Sequence, residues 1–199
     1  MPDATFYFDF ASPNAYLAHR VIPDIEARTG ARFHYVPVLL GGLFKLTGNQ
    51  APMLAFAGIP KKLAYERREM ERFIARHGLT RFTMNPHFPV ITLALMRGAV
   101  AAQAEGILPA YTEAMFHSMW EDPRKLDDME VLAATLTEAT LPTETLMARA
   151  QEPAIKAALL ANTQAAYEAG AFGIPSFLVG EELWFGKDKL GEVEEAMRA

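Results

Sequence analysis

The sequence predicts an α/β fold in which a small sheet, drawn from the two ends of the chain, carries a large all-helical insertion. Strand-forming runs occur at Phe6 to Phe10 and Phe33 to Leu39, and then not again until Ser176 to Val179 and Leu183 to Phe185. Between them, apolar residues recur at helical spacing in segment after segment, each bounded by Pro, Gly or a capping side chain. No low-complexity linker or repeat interrupts the chain. The expected organisation is a discontinuous unit of residues 1–42 and 170–199 with a helical insertion of residues 43–169.

Taken in order, Phe6 to Phe10 is an aromatic strand, and Ser12-Pro13 then supplies an N-cap and a first helical position. Leu17, Val21, Ile22 and Ile25 line one side of the helix that follows; Gly30 ends it, and Pro23 inside it is expected to kink or divide it. Phe33 to Leu39 reads as a strand parallel to the first, and Gly41-Gly42 as the close of that βαβ unit. Lys61 to His77 forms an amphipathic helix stopped by Gly78, and Pro89 opens another that reaches Glu105. Further helices are expected over Ala110 to Trp120, Met129 to Thr140 behind an Asp127 or Asp128 cap, Thr143 to Ala150, and Pro153 to Ala169. A hairpin turning at Gly180-Glu181-Glu182 and a last helix, Leu190 to Met197, complete the chain.

Composition narrows the function. A chain of 199 residues with 51% apolar and 22% charged residues can bury a substantial core. The net charge of −5, without a basic block, argues against a nucleic-acid surface. No apolar run is long enough to span a bilayer and no basic segment precedes an apolar signal core, so a cytoplasmic protein is expected. The absence of cysteine excludes disulfides, zinc–thiolate sites and internal dithiol chemistry. His19, His34, His77, His87 and His117 lack metal-ligand spacing, and no metal is expected. Met53, Met84, Met96, Met115 and Met119 read as helix packing, as do most aromatic residues of the first strand.

Two stretches carry chemistry. The first strand delivers Ser12 to a helix N-terminus, where unpaired N–H groups and the helix dipole stabilise an anion beside a hydroxyl donor; capping alone is the simpler role. Near the other end, Gly170-Ala171-Phe172-Gly173-Ile174-Pro175 is a constrained turn before a strand. Its Ile174-Pro175 bond is a candidate for the cis form, the alternative being an ordinary trans proline at a strand edge.

The two stretches, in this order, resemble the 2-hydroxychromene-2-carboxylate isomerase and kappa-class glutathione transferase family of the DsbA-like thioredoxin fold. The matching residues are Asp9-Phe10-Ala11-Ser12-Pro13 with Tyr16-Leu17-Ala18, Gly48-Asn49, Lys62 with Tyr65, Asn85-Pro86 with Phe88-Pro89, Trp120, Gly170 to Phe177, and Gly186 with Asp188. Ala99 to Gly106 matches less tightly.

The resemblance implies a thioredoxin-like fold in which Ser12 stands where oxidoreductases of that fold carry a nucleophilic cysteine. It implies glutathione as cofactor, held by Ser12, Asn49, Lys62, Ile174, Pro175, Lys187 and Asp188, with Lys61 as a competitor for the role of Lys62. Lys187 and Lys189 depart from the pattern, since members often carry Ser or Gln and Arg there. A small aromatic substrate would lie against Phe10, Asn85, Pro86, His87 and Trp120, in a homodimer without nucleic acid or membrane. Ser12 would be catalytic by stabilising the glutathione thiolate. Three readings follow: a glutathione-dependent isomerase of the 2-hydroxychromene-2-carboxylate type, a kappa-like transferase conjugating small electrophiles, and a non-catalytic DsbA-like binding module.

Overall fold

The computed structural model describes residues 1–199. The chain runs β1 (Ala4–Phe8), α1 (Pro13–Thr29) and β2 (Phe33–Pro37), then through α2 (Leu40–Thr47), α3 (Pro52–Ala55), α4 (Pro60–His77), α5 (Leu93–Ala104) and α6 (Leu108–Trp120). It continues with α7 (Met129–Glu138), α8 (Thr143–Arg149), α9 (Pro153–Glu168), β3 (Ser176–Val179), β4 (Glu182–Phe185), a 3-10 turn (Lys187–Lys189) and α10 (Leu190–Arg198). It is an α/β thioredoxin-like fold, and no strand lies between Pro37 and Ser176.

The four strands form one sheet in the order β2-β1-β3-β4. β1 and β2 are parallel, which requires the α1 crossover, while β3 runs antiparallel to β1 and to β4, as a short turn at Gly180 allows. Period-two alternation sends Phe6 and Phe8 of β1 to the same side. There Phe6 stacks on its cross-strand partner Phe177 with ring centroids 5.3 Å apart, and Phe8 meets Phe116 of α6 at 5.9 Å. Both β1 rings are fully buried, and burial of each is worth about 2–3 kcal/mol. The apolar core is continuous from the sheet into the helices, joining Phe6 and Phe177 to Leu95, Met115, Trp120 and Leu159.

Several expectations are corrected here. Pro23 neither ends nor divides α1, because it lies on the exposed side and removes only one backbone bond of a helix held by Val21, Ile22 and Ile25. Gly41 and Gly42 do not close the unit; they lie inside α2, where a Cβ on Gly42 would come within 3.1 Å of the Thr163 methyl of α9. Small residues there let α2 approach α9. Pro89 does not open a helix either: Phe88-Pro89 is a cis peptide in a turn, and α5 begins at Leu93. Asp128, rather than Asp127, caps α7, its carboxylate accepting from Glu130 N–H and Val131 N–H.

Candidate functional site around Ser12

Ser12 lies where β1 has ended and α1 begins, with the extended backbone of an N-cap (φ −94°, ψ 113°). Its Oγ accepts from Ala15 N–H at 3.2 Å and donates to the carbonyl of Ile174 at 3.1 Å. Two segments 162 residues apart thus meet at one hydroxyl. Ile174-Pro175 is cis, and Ser176 Oγ donates to the Gly173 carbonyl at 2.8 Å, closing the turn on itself. At the start of α1, Pro13 has no N–H, and Ala15 and Tyr16 donate back to Ser12. The Asn14 N–H is left without a protein acceptor, and so is that of Ile174. The first is a donor at the positive end of α1 and the second belongs to the turn that meets it at Ser12, an arrangement that suits an anion.

Asp9 sets the approach to Ser12. The carboxylate is fully buried, and the sequence alone leaves open whether it faces away. It turns inward and accepts from Ala11 N–H at 2.9 Å, Leu40 N–H at 2.8 Å and the Thr92 hydroxyl at 2.6 Å. Burial pushes its carboxyl upward, and the three donors pull against that shift. The one sequence signal was an acid inside an aromatic run, which is tolerated only when fully hydrogen-bonded.

Of the other anticipated cofactor residues, Asn49 and the Gly186 segment are tied to the turn by hydrogen bonds, and Lys62 is not. Asn49, exposed after α2, donates from Nδ2 to the Phe172 carbonyl at 2.9 Å. Phe172 in turn packs on Phe185 of β4 with centroids 4.5 Å apart, and both are partly exposed. Gly173 must be small, since a Cβ there would lie 2.7 Å from the Phe185 ring. Lys62, exposed on α4, holds its Nζ 4.2 Å from the Phe56 ring centre and 3.8 Å from Glu66, and Lys61 is exposed beside it. The Pro175 carbonyl accepts from Gly186 N–H at 2.9 Å, which brings Lys187 and Asp188 to the same wall. Lys187 is buried, with Nζ 2.6 and 2.8 Å from the two oxygens of Asp188, whose side chain is largely exposed.

Three of the five expected substrate residues do not offer a surface. Phe10 is fully buried against Phe116 at 4.9 Å, and the Trp120 indole N–H donates to the Phe10 carbonyl at 3.0 Å. Asn85 is buried too, donating to the carbonyls of Met119 (3.1 Å) and Arg124 (3.0 Å) while its Oδ1 accepts from His87 N–H. All three are engaged in packing and hydrogen bonding at the junction of strand, loop and helix. Pro86 and His87 are exposed on that loop. No three His, Asp or Glu side chains converge as metal ligands would.

Sequence reading missed the buried carboxylate of Glu121, one residue beyond α6. It accepts from the Tyr16 hydroxyl at 2.8 Å and pairs with Arg20 (2.5 Å), Arg81 (2.6 Å) and His117 (3.1 Å). These partners hold its carboxyl below the usual range against the upward push of burial, and burial together with Glu121 moves Tyr16 up to about 12. The network fastens the first turns of α1 to the loop after α4.

Residues 4–198 match the model of the DSBA-like thioredoxin domain. The chain belongs to that family. It is 27% identical over 192 residues to a 2-hydroxychromene-2-carboxylate isomerase of Sphingobium xenophagum, covering 95% of this chain and 94% of the relative. It is 22% identical over 197 residues to glutathione S-transferase kappa 1 of Rattus norvegicus, covering 92% and 85% of the two chains. A solved structure of a 2-hydroxychromene-2-carboxylate isomerase superposes with a TM-score of 0.82 at 25% identity, covering 98% of this chain and 93% of that one. The resemblance drawn from the sequence motifs is thus shown, and within the family these relatives include isomerases and a transferase.

Proposed function

We propose that the protein is a glutathione-dependent isomerase of the 2-hydroxychromene-2-carboxylate type. The observation that carries this reading is the junction of Ser12 Oγ with the Ile174 carbonyl at the start of α1, which leaves the Asn14 and Ile174 N–H groups free beside a hydroxyl. Glutathione would lie along the Ile174-Pro175 turn in extended form, within reach of Asn49 and Lys62, with its sulfur at Ser12. There the end of α1 would lower the thiol pKa, as would the Ser12 hydroxyl once the cofactor's backbone replaces it on the Ile174 carbonyl, in a chain that has no thiol of its own.

Bound there, glutathione would supply a nucleophile that adds reversibly to a conjugated carbon and is regenerated when it leaves; Ser12 and the N-terminus of α1 would hold its sulfur as the anion, and the Ile174-Pro175 turn would orient it. No base near Ser12 would activate it as a nucleophile, because Asp9 is committed to three donors. His87 and Pro86 border the substrate in this reading. The likeness to a kappa transferase supports a second reading, in which the same thiolate stays bonded to an electrophile and leaves as a conjugate. The exposed apolar side chains of Leu46, Met53, Leu54, Ile59 and Tyr65 favour a homodimer. No helix is long and apolar enough to cross a membrane, and we place the enzyme in the cytosol.

Turnover of 2-hydroxychromene-2-carboxylate with and without glutathione, together with ultraviolet titration of the bound thiolate, tests the proposal. Ser12→Ala is expected to keep glutathione affinity within about threefold, raise the bound thiol pKa, and slow turnover by roughly 10- to 100-fold, the loss typical of one anion-stabilising donor. Equal turnover without any thiol, or covalent labelling of Ser12 by substrate, overturns the mechanism. Accumulation of a glutathione conjugate selects the transferase, and failure to bind glutathione leaves a non-catalytic module.

A further inference from the structure

Lys187 is a buried lysine at the edge of the proposed cleft. It follows Gly186, which is tied to the Pro175 carbonyl at 2.9 Å and has a φ of 97°, a backbone conformation that L side chains rarely adopt. The Lys187 side chain is only 4% exposed, whereas that of its partner Asp188 is 61% exposed. Its ammonium is held by both Asp188 oxygens, at 2.6 and 2.8 Å, and lies 4.9 Å from the centre of the Phe73 ring on α4. No second carboxylate lies within ion-pair distance of it. Lys189, the other unusual cation of this turn, is engaged with Glu192 at 2.6 Å and does not compete for Asp188.

A buried ammonium that loses its one ion-pair partner is destabilised, with Glu69 of α4 the only other carboxylate whose titration feels its charge, so Lys187 resists displacement from Asp188. A ligand lying along Pro175 meets a carboxylate whose charge is already neutralised from within the chain. Resting on the glutathione reading above, we infer that Lys187 determines which thiols the cleft accepts: by occupying Asp188 it prevents recognition of a ligand ammonium there. The site therefore takes thiol peptides irrespective of their N-terminal amino group. Glutathione then binds through its cysteine backbone and carboxylates, and acylated or des-amino thiol peptides are equivalent ligands.

The test compares glutathione with glutaryl-cysteinyl-glycine, which has the same skeleton without the ammonium, by calorimetric titration of the full chain. The wild-type protein is expected to bind the two within about threefold of each other. Lys187→Met keeps the packing on Phe73 and frees Asp188, and is expected to favour glutathione by roughly tenfold or more, as a new charge-assisted bond would. The wild-type ratio needs no variant, so a poorly folded Lys187→Met does not weaken the test. A wild-type preference for glutathione of tenfold or more overturns this inference alone, as does an unchanged ratio in a Lys187→Met protein of native circular dichroism. Binding of neither thiol by the wild type overturns the glutathione reading, and this inference with it.

Discussion

Asp9 shows how one side chain fixes the entry to the site. Its three donors come from the next loop, from the start of α2 and from the start of α5, so a single carboxylate ties three segments together behind Ser12. Asp9→Ala leaves two N–H groups and a hydroxyl without their acceptor, and is expected to lower stability by about 3–5 kcal/mol in urea unfolding. A loss under about 1 kcal/mol would show that water replaces the carboxylate and that Asp9 is not the anchor. Ser12 was legible from the sequence because capping is a local matter, decided within three residues. Asp9 was not, because its partners Leu40 and Thr92 lie 31 and 83 residues away.

At the scale of elements, the contact between α5 and α6 depends on Gly98. The Tyr111 side chain of α6 fills the space that a Cβ at Gly98 would occupy, and its hydroxyl donates to the Leu95 carbonyl at 2.9 Å. Burial holds the Tyr111 phenol in its protonated form far above the usual range, consistent with a donor that has no competing role. Gly98→Ala should gain helix propensity yet lose more by displacing the phenol, for a net cost of about 1–3 kcal/mol. Thermal unfolding of Gly98→Ala beside Gly98→Ala/Tyr111→Phe checks this: partial recovery in the double variant is expected, and a stabilised single variant would refute the packing argument. Helices and strands were largely legible at this scale from periodicity and punctuation. The short α2 and α3 were not, because α2 begins with a Leu-Gly-Gly stretch and α3 has no buried residue to leave a pattern.

Across the whole molecule, ion pairs join α1 to the helical layer. Glu113 of α6 accepts from His19 at 3.2 Å and, with both oxygens, from Arg20 at 2.8 Å. The hydrogen bond from His19 first, and then Arg20, hold its carboxyl at about 2, below the usual glutamate value of 4.5. A carboxyl with a depressed folded-state pKa contributes stability that is complete above the unfolded value and is lost as pH falls toward the folded one. Wild-type stability should therefore decline between pH 4.5 and about 2, and Glu113→Gln should flatten part of that slope. Solvent exposure of the pair keeps the effect small. Identical acid-unfolding profiles for the two proteins would remove Glu113 from the account.

The sequence by itself determined where the strands and the longer helices lie, that the sheet is built from both ends, that the chain supplies no thiol, and that Ser12 opens a helix. Each follows from composition or from rules acting over a few residues. Only the tertiary structure decided which way the intervening side chains face. It turned Phe10, Asn85 and Trp120 into packing and hydrogen-bonding supports, brought Glu121 beneath Tyr16, and seated Lys187 on Asp188 beneath Phe73. The reason is physical: burial and pairing of a polar side chain are settled by partners brought close in space, and sequence spacing carries no record of them.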